Sequence, residues 1–107
     1  MVTAGPYIYA WTYRVKPGAH ATFEKYYGPA GAWVHLFQGA SGYRGTTLYQ
    51  DRCDPDRYLT VDVWESEDAF QAFRAACAVE FEQLDQACEE FTLEETALGE
   101  FHPVVAT

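Results

Sequence analysis

In Tyr58-Leu59-Thr60-Val61-Asp62-Val63-Trp64-Glu65-Ser66 a strand hands over to a helix. Residues 57–65 are rich in the β-branched and aromatic types that suit a pleat. Alternation puts Leu59, Val61 and Val63 on one face and Tyr58, Thr60, Asp62 and Trp64 on the other. Both faces therefore suit burial. Asp62 is the one carboxylate inside this strand; it needs a hydrogen-bond partner, and in such a place it is also a candidate acid or base. Ser66 is a good helix N-cap, and Glu67 and Asp68 add negative charge where the helix dipole favours it.

Downstream, Phe70, Phe73, Cys77, Phe81, Leu84, Cys88 and Phe91 recur in steps of three or four, one apolar stripe along about six turns. So long a helix is expected to kink or break near Ala78-Val79. A final strand is expected over residues 94–102, with Ala97, Gly99 and Phe101 alternating against Thr96, Leu98 and Glu100, and residues 103–107 form a tail that is loose or lies along a partner. Upstream, Cys53-Asp54-Pro55-Asp56 is turn material joining a strand over 42–51 to the strand already described, so the two form a hairpin. Before it come two helical pieces. Ala19, Phe23 and Tyr26 or Tyr27 mark a helix stopped by Gly28-Pro29, and Trp33, Leu36 and Phe37 mark a short one ended by Gly39.

The first strand closes at Val15, ahead of the Lys16-Pro17-Gly18 break. Its core, Tyr7-Ile8-Tyr9-Ala10-Trp11-Thr12-Tyr13, places Tyr7, Tyr9, Trp11 and Tyr13 on one face. Four such rings need cover, because each buries a large apolar area while its polar tip seeks a hydrogen bond. The chain's own helices, a second subunit or a flat ligand could supply it; core packing is the common use of an aromatic stripe, and an aryl-binding pocket is the other.

A chain of 107 residues suits one domain spanning 1–107. Apolar residues make up 49% and aromatics 17%, with no run near the roughly 20 apolar residues that cross a bilayer. No basic-then-apolar leader is read at the N-terminus, so a cytoplasmic location is expected. Sixteen acidic against seven basic residues give a net charge of −9, which repels nucleic acid and anionic membranes. The acidic residues of the second half, Glu80, Glu82, Asp85, Glu89, Glu90, Glu94 and Glu95, read as a solvated helix face. Cys53, Cys77 and Cys88 lack disulfide or zinc spacing and are expected as free thiols. No nucleophile elbow, phosphate loop, dinucleotide fingerprint or acidic metal cluster is present in the sequence.

The order β-α-β-β-α-β is that of the ferredoxin-like α+β fold, a four-stranded antiparallel sheet with helices on one face. Since the first and third strands are apolar or aromatic on both faces, the second sheet face is expected to close on another copy in a homodimer.

Val15-Lys16-Pro17-Gly18, Phe23-Glu24, Gly31-Ala32-Trp33, Leu36-Phe37, Gly42-Tyr43-Arg44-Gly45-Thr46, residues 58–66 and Ala69-Phe70-Gln71-Ala72-Phe73 resemble the antibiotic biosynthesis monooxygenase family of dimeric α+β barrels. The resemblance spans nearly the whole chain. It implies a pocket between the sheet and the long helix and, in some members, cofactor-free oxygenation of electron-rich polycyclic phenols. Such chemistry needs an aromatic slot, a group that removes or holds a proton, and polar contacts for developing oxyanions. On this reading Tyr9, Trp11, Tyr13, Trp33, Tyr49, Phe70, Phe73, Cys77 and Phe81 are the candidates to bind a small aromatic ligand, and Trp64, His35 and Asp62 the candidates for catalysis. A second branch of the resemblance degrades haem with an Asn on the first strand and a Trp and a His on the long helix. Here those places hold Trp11 and Phe73, and no His lies between His35 and His102. No metal, flavin or haem is expected. His20 reads as solvent-facing and His102 as near the loose end. The same barrel also hosts polyketide cyclases or isomerases and non-catalytic small-molecule binders, and fold does not choose among them.

Overall fold

A computed structural model describes residues 5–104. The elements run β1 (Tyr7–Val15), α1 (His20–Tyr27), α2 (Ala32–Gln38), β2 (Tyr43–Gln50), β3 (Arg57–Trp64), α3 (Glu67–Ala76), α4 (Ala78–Cys88), a 3-10 turn (Glu89–Phe91) and β4 (Thr92–Phe101). This is the expected ferredoxin-like order with each helical segment in two pieces. The strands form one antiparallel sheet ordered β2-β3-β1-β4, so the aromatic wall of β1 stands between β3 and β4.

Ser66 caps α3 as its residue type implies, accepting a hydrogen bond from Ala69 N at 3.1 Å. The stripe that follows is broken at Cys77, one residue ahead of the expected kink; Cys77 ends α3 and starts α4 with φ −116° and ψ 31°. The break redirects the chain so that Phe81 meets the Trp33 ring edge-on at 5.0 Å. Phe91 leaves the helical stripe for the 3-10 turn and packs on Tyr26 at 4.9 Å, which lets β4 begin at Thr92, ahead of the expected start. Pro103 and Val104 carry no regular structure, and residues 105–107 of the expected tail lie outside the described part.

The alternation expected along β4 fails at a bulge. Ala97 pairs with Trp11, but Gly99 pairs with Ala10 and Glu100 with Tyr9, which leaves Leu98 as the extra residue. Gly99 takes the left-handed φ of +137° that this bend requires. The parity of the strand reverses there: Ala97 lies on the face of the aromatic wall, Glu100 rejoins that face, and Phe101, paired with Ile8, goes to the other. One inserted residue undoes a period-two reading.

The core lies between the sheet and the helices. Trp64 is completely buried, with ring centroids of Phe37, Tyr43, Phe70 and Phe73 at 5.3–5.6 Å from its own. A second aromatic group, Tyr13, Phe23, Tyr27 and Tyr58, fills the other end beneath α1. His20 is not simply solvent-facing: its Nε2 meets Asp56 Oδ1 at 2.7 Å and ties α1 to the β2–β3 turn. On the opposite sheet face Leu59, Val61 and Val63 are only half-buried, and Tyr49 and Phe101 are about half exposed. Among the described residues no helix is long and apolar enough to cross a membrane.

Gly42 joins α2 to β2 with φ +94°, and a Cβ there would stand 2.8 Å from the Ala69 Cβ and 2.9 Å from the Glu65 Cγ. Gly42→Ala should therefore lower stability by about 2–3 kcal/mol, from left-handed strain plus overpacking against α3. In a domain of this size that is a fall in Tm of roughly 10–20 °C by differential scanning calorimetry, and an unchanged Tm would contradict the close approach.

Candidate functional site

Between the sheet and the helices lies a cavity of about 510 Å³. β1 contributes Tyr7, Tyr9, Trp11 and Tyr13, so the whole aromatic wall faces this space. Tyr27, Trp33 and Phe37 from α1 and α2 close one side, and Phe70, Arg74, Phe81 and Asp85 from α3 and α4 form the roof. The remaining lining is polar: Thr46 and Thr60 with Asp62 from the β2–β3 hairpin, and Glu95 and Glu100 with Ala97 and Gly99 from β4. An apolar cavity of this volume with a few convergent polar groups has the form of a small-molecule site.

Asp62 is 6% exposed and faces the cavity. Strand register puts it directly across from Tyr9 on one side and Thr46 on the other. The Thr46 hydroxyl donates to the Asp62 Oδ1 and stands 2.7 Å from the Tyr43 hydroxyl; with Thr46 donating to the carboxylate, Tyr43 is the donor of that second bond. Burial pushes the Asp62 carboxyl up to about 6, against the smaller downward pull of the Thr46 hydrogen bond. The phenols around it move further from ionisation. Tyr9 and Tyr13 are raised well above the ordinary tyrosine value, chiefly by burial and further by the nearby Asp62 charge, while the Trp64 indole and Thr60 offset part of this at Tyr9 and Tyr13 respectively. Tyr13 and Thr60 share a buried hydrogen bond of 3.0 Å. The site thus places one carboxyl that titrates near neutrality among phenols that stay protonated and can donate to an oxyanion.

The antibiotic biosynthesis monooxygenase family model matches residues 6–80, which span β1 through the start of α4 and carry most of this cavity. The chain belongs to the antibiotic biosynthesis monooxygenase family. Its fold is shared with SnoaB, a cofactor-independent oxygenase from Streptomyces nogalater, at a TM-score of 0.78 and 23% identity over 96% of this chain and 97% of that one. It is shared likewise with a protein of Pseudomonas aeruginosa (TM-score 0.73, 17% identity, covering 94% and 96%) and a conserved protein of Methanosarcina mazei (0.75, 13%, covering 94% and 95%). No curated protein sequence matches significantly.

In this family member the residues singled out from sequence divide three ways. Tyr9, Trp11, Tyr13, Trp33, Phe70, Phe81 and Asp62 meet at the cavity. Trp64, Phe73 and Cys77 do not line it: Trp64 and Phe73 are core residues packed on Phe37, and Cys77 is half-buried against the same core. Tyr49 pairs with Leu59, and that register sends it to the opposite sheet face; His35 lies on the solvent side of α2, between buried Val34 and half-buried Leu36. The acidic residues are exposed as expected, and two of them, Asp85 and Glu95, also border the cavity. Asp85 could have been found from its i, i+4 relation to Phe81. Glu100 could not, because the bulge hides its face. Among the described residues no group of three or more His, Cys, Asp or Glu side chains is arranged to hold a metal ion.

The raised Asp62 pKa has a sign. A carboxyl near 3.8 unfolded and about 6 folded binds its proton more tightly in the folded state, so its contribution to stability is greatest below pH 4 and is lost as the pH climbs through 6. The difference amounts to about 3 kcal/mol, using 1.36 kcal/mol per pKa unit. Asp62→Asn should consequently stabilise the protein at pH 7.5 by about 1–3 kcal/mol and have little effect at pH 4, as read from denaturant melts at both values. An equal effect at the two pH values would place the carboxyl in water.

Proposed function

We propose that this protein is a monooxygenase-like enzyme that acts without metal, flavin or haem on an aromatic or polyketide-type metabolite held in the cavity. The observation that carries the reading is a buried carboxyl, Asp62, brought near neutrality in the wall of an aromatic cavity. Membership of the family and the shared fold with SnoaB, a cofactor-independent oxygenase, support the reaction class. Tyr9, Trp11, Tyr13, Trp33, Phe70 and Phe81 would stack a planar phenol or anthrone. Asp62 would remove its acidic proton, and the Tyr43–Thr46 chain would hold the carboxylate in place. The enolate carbon then bonds to dioxygen, and the peroxide formed takes up the proton. Loss of the second C–H proton with O–O cleavage gives a ketone and water, so one CH₂ and one O₂ become one C=O and one H₂O. Tyr9 and Tyr13, protonated throughout, would donate to the developing oxyanion. Trp64, Phe73 and Cys77 would support the site from behind.

Dioxygen uptake with a panel of anthrones and naphthols tests this. Wild-type kcat/KM should rise through pH 6 as Asp62 ionises, and Asp62→Asn should lower it by at least about 100-fold while binding of a non-ionisable analogue stays within about twofold. Substrate consumed without dioxygen uptake would favour a cyclase or isomerase on the same site, and binding without turnover would favour a non-catalytic binder.

The protein is further proposed to work as a homodimer in a reducing, cytoplasmic compartment, where Cys53, Cys77 and Cys88 stay free. The apolar face formed by Leu59, Val61, Val63, Ile8 and Phe101 supports a second copy as its cover. Light scattering should return about twice the 12.1 kDa chain mass, and Val61→Lys should return the single-chain mass with unchanged far-UV circular dichroism. A wild-type mass near 12.1 kDa would reject the dimer.

A further inference from the structure

The cavity is unevenly charged. Asp62, Asp85, Glu95 and Glu100 line it against a single cation, Arg74. Most of these groups already have partners. Asp62 holds the Thr46 hydroxyl, Glu100 accepts from the Tyr7 hydroxyl, and the Arg74 guanidinium sits 4.0 Å over the Phe81 ring. Asp85 and Glu95 remain, the second eased only by the Tyr27 hydroxyl. Among the described residues neither lies within ion-pair distance of an Arg, Lys or His.

Both are exposed residues at the edge of the cavity, Asp85 from α4 and Glu95 from β4, near enough for the charge of Asp85 to be felt at Glu95. Glu95 resists ionisation because its carboxyl is partly buried and because Asp85 and Glu89 add negative charge, with the Tyr27 hydroxyl easing it only in part. The groups that border them are aromatic. Tyr13 is the ladder partner of Glu95, Tyr27 lies 4.9 Å from Tyr13, and Trp33 lies 6.1 Å from Tyr27 and 5.0 Å from Phe81. Cys88, buried beside Tyr27 and Trp33, is pushed toward the neutral thiol and adds no cation. Faces of Tyr and Trp rings attract an ammonium group, and two carboxylates lacking a counter-charge do so more strongly. A ligand carboxylate there would be a third negative charge in a partly desolvated place.

We infer that the cavity selects aryl ligands bearing a cationic amine over those bearing a carboxylate, with the amine held between Asp85 and Glu95 and the ring against the β1 wall. The inference rests on the cavity being the ligand site proposed above, and it narrows the substrate class. The net charge of −9 favours the same ligands during encounter, but only Asp85 and Glu95 give the selection an address.

Three ligands with one ring system test it: 1-naphthylmethylamine, 1-naphthalenemethanol and 1-naphthoic acid, titrated calorimetrically at pH 7.5 into wild type and into the double variant Asp85→Asn, Glu95→Gln. In wild type the amine should bind about tenfold or more tightly than the acid, with the alcohol between them. In the double variant that ratio should fall to within about threefold while the affinity for the alcohol is unchanged. If the alcohol binds but the amine has no advantage, or its advantage survives in the double variant, the charge inference is overturned and the aryl site stands. If the alcohol does not bind at all, the site reading falls and the inference with it.

Discussion

The aromatic packing around Trp64 is the constraint on which the rest of the molecule depends. Its indole is completely buried at the end of β3, with Phe37 of α2, Tyr43 of β2 and Phe70 and Phe73 of α3 around it. One side chain thus fixes two helices against two strands. Rings pack well at these separations and cannot collapse into one another as flexible aliphatic chains can. The packed end sets α3 and α4 over the sheet, with Phe70 of α3 resting on Tyr7 and Tyr9 of β1, and the space left beside that contact, lined by Tyr9, Trp11 and Phe81 among others, is the cavity. Trp64 shapes the site without entering it. Its buried indole N–H meets the Tyr9 hydroxyl only weakly and, like that of Trp33, makes no fully formed hydrogen bond, so the packing is gained at some cost in polar satisfaction.

Asp62 puts the same sheet to another use. Its carboxyl occupies an inward-facing position of a central strand, where an apolar residue would contribute to the core and where ionisation is opposed by burial. Thr46, itself held by the Tyr43 hydroxyl, donates to one oxygen of the carboxylate without neutralising its charge. A group kept in this state destabilises the fold at neutral pH, and under the proposed function it is the group that would take up a proton in the adjoining cavity.

The electrostatics of the cavity follow from how the chain is bent rather than from its overall charge. The bulge at Leu98 and Gly99 turns Glu100 inward, and the break at Cys77 sets the direction in which Phe81 and Asp85 project. The first brings a carboxylate to the Tyr7 hydroxyl, and the second brings another to the cavity edge, where its charge is felt at Glu95. Neither depends on a recognisable motif.

Sequence by itself determined the elements and their order, because the relevant signals are local: the alternation of Tyr7, Tyr9, Trp11 and Tyr13, the Ser66 cap with its acidic first turn, the Pro-Gly breaks and the three-four spacing from Phe70 onward. It also singled out Asp62, since a carboxylate within an otherwise buried strand is anomalous wherever that strand packs. Tertiary structure alone decided which aromatics stack in the core and which face the cavity. Phe70 and Phe73 are three residues apart on one helical stripe and read alike, yet only Phe70 reaches the cavity. It likewise decided that Tyr49 faces away and that Asp85, Glu95 and Glu100 face in. A side chain's face within its own element is set by backbone periodicity; its neighbours across the cavity are set by strand register, one bulge and one helix break, which depend on residues distant in the chain.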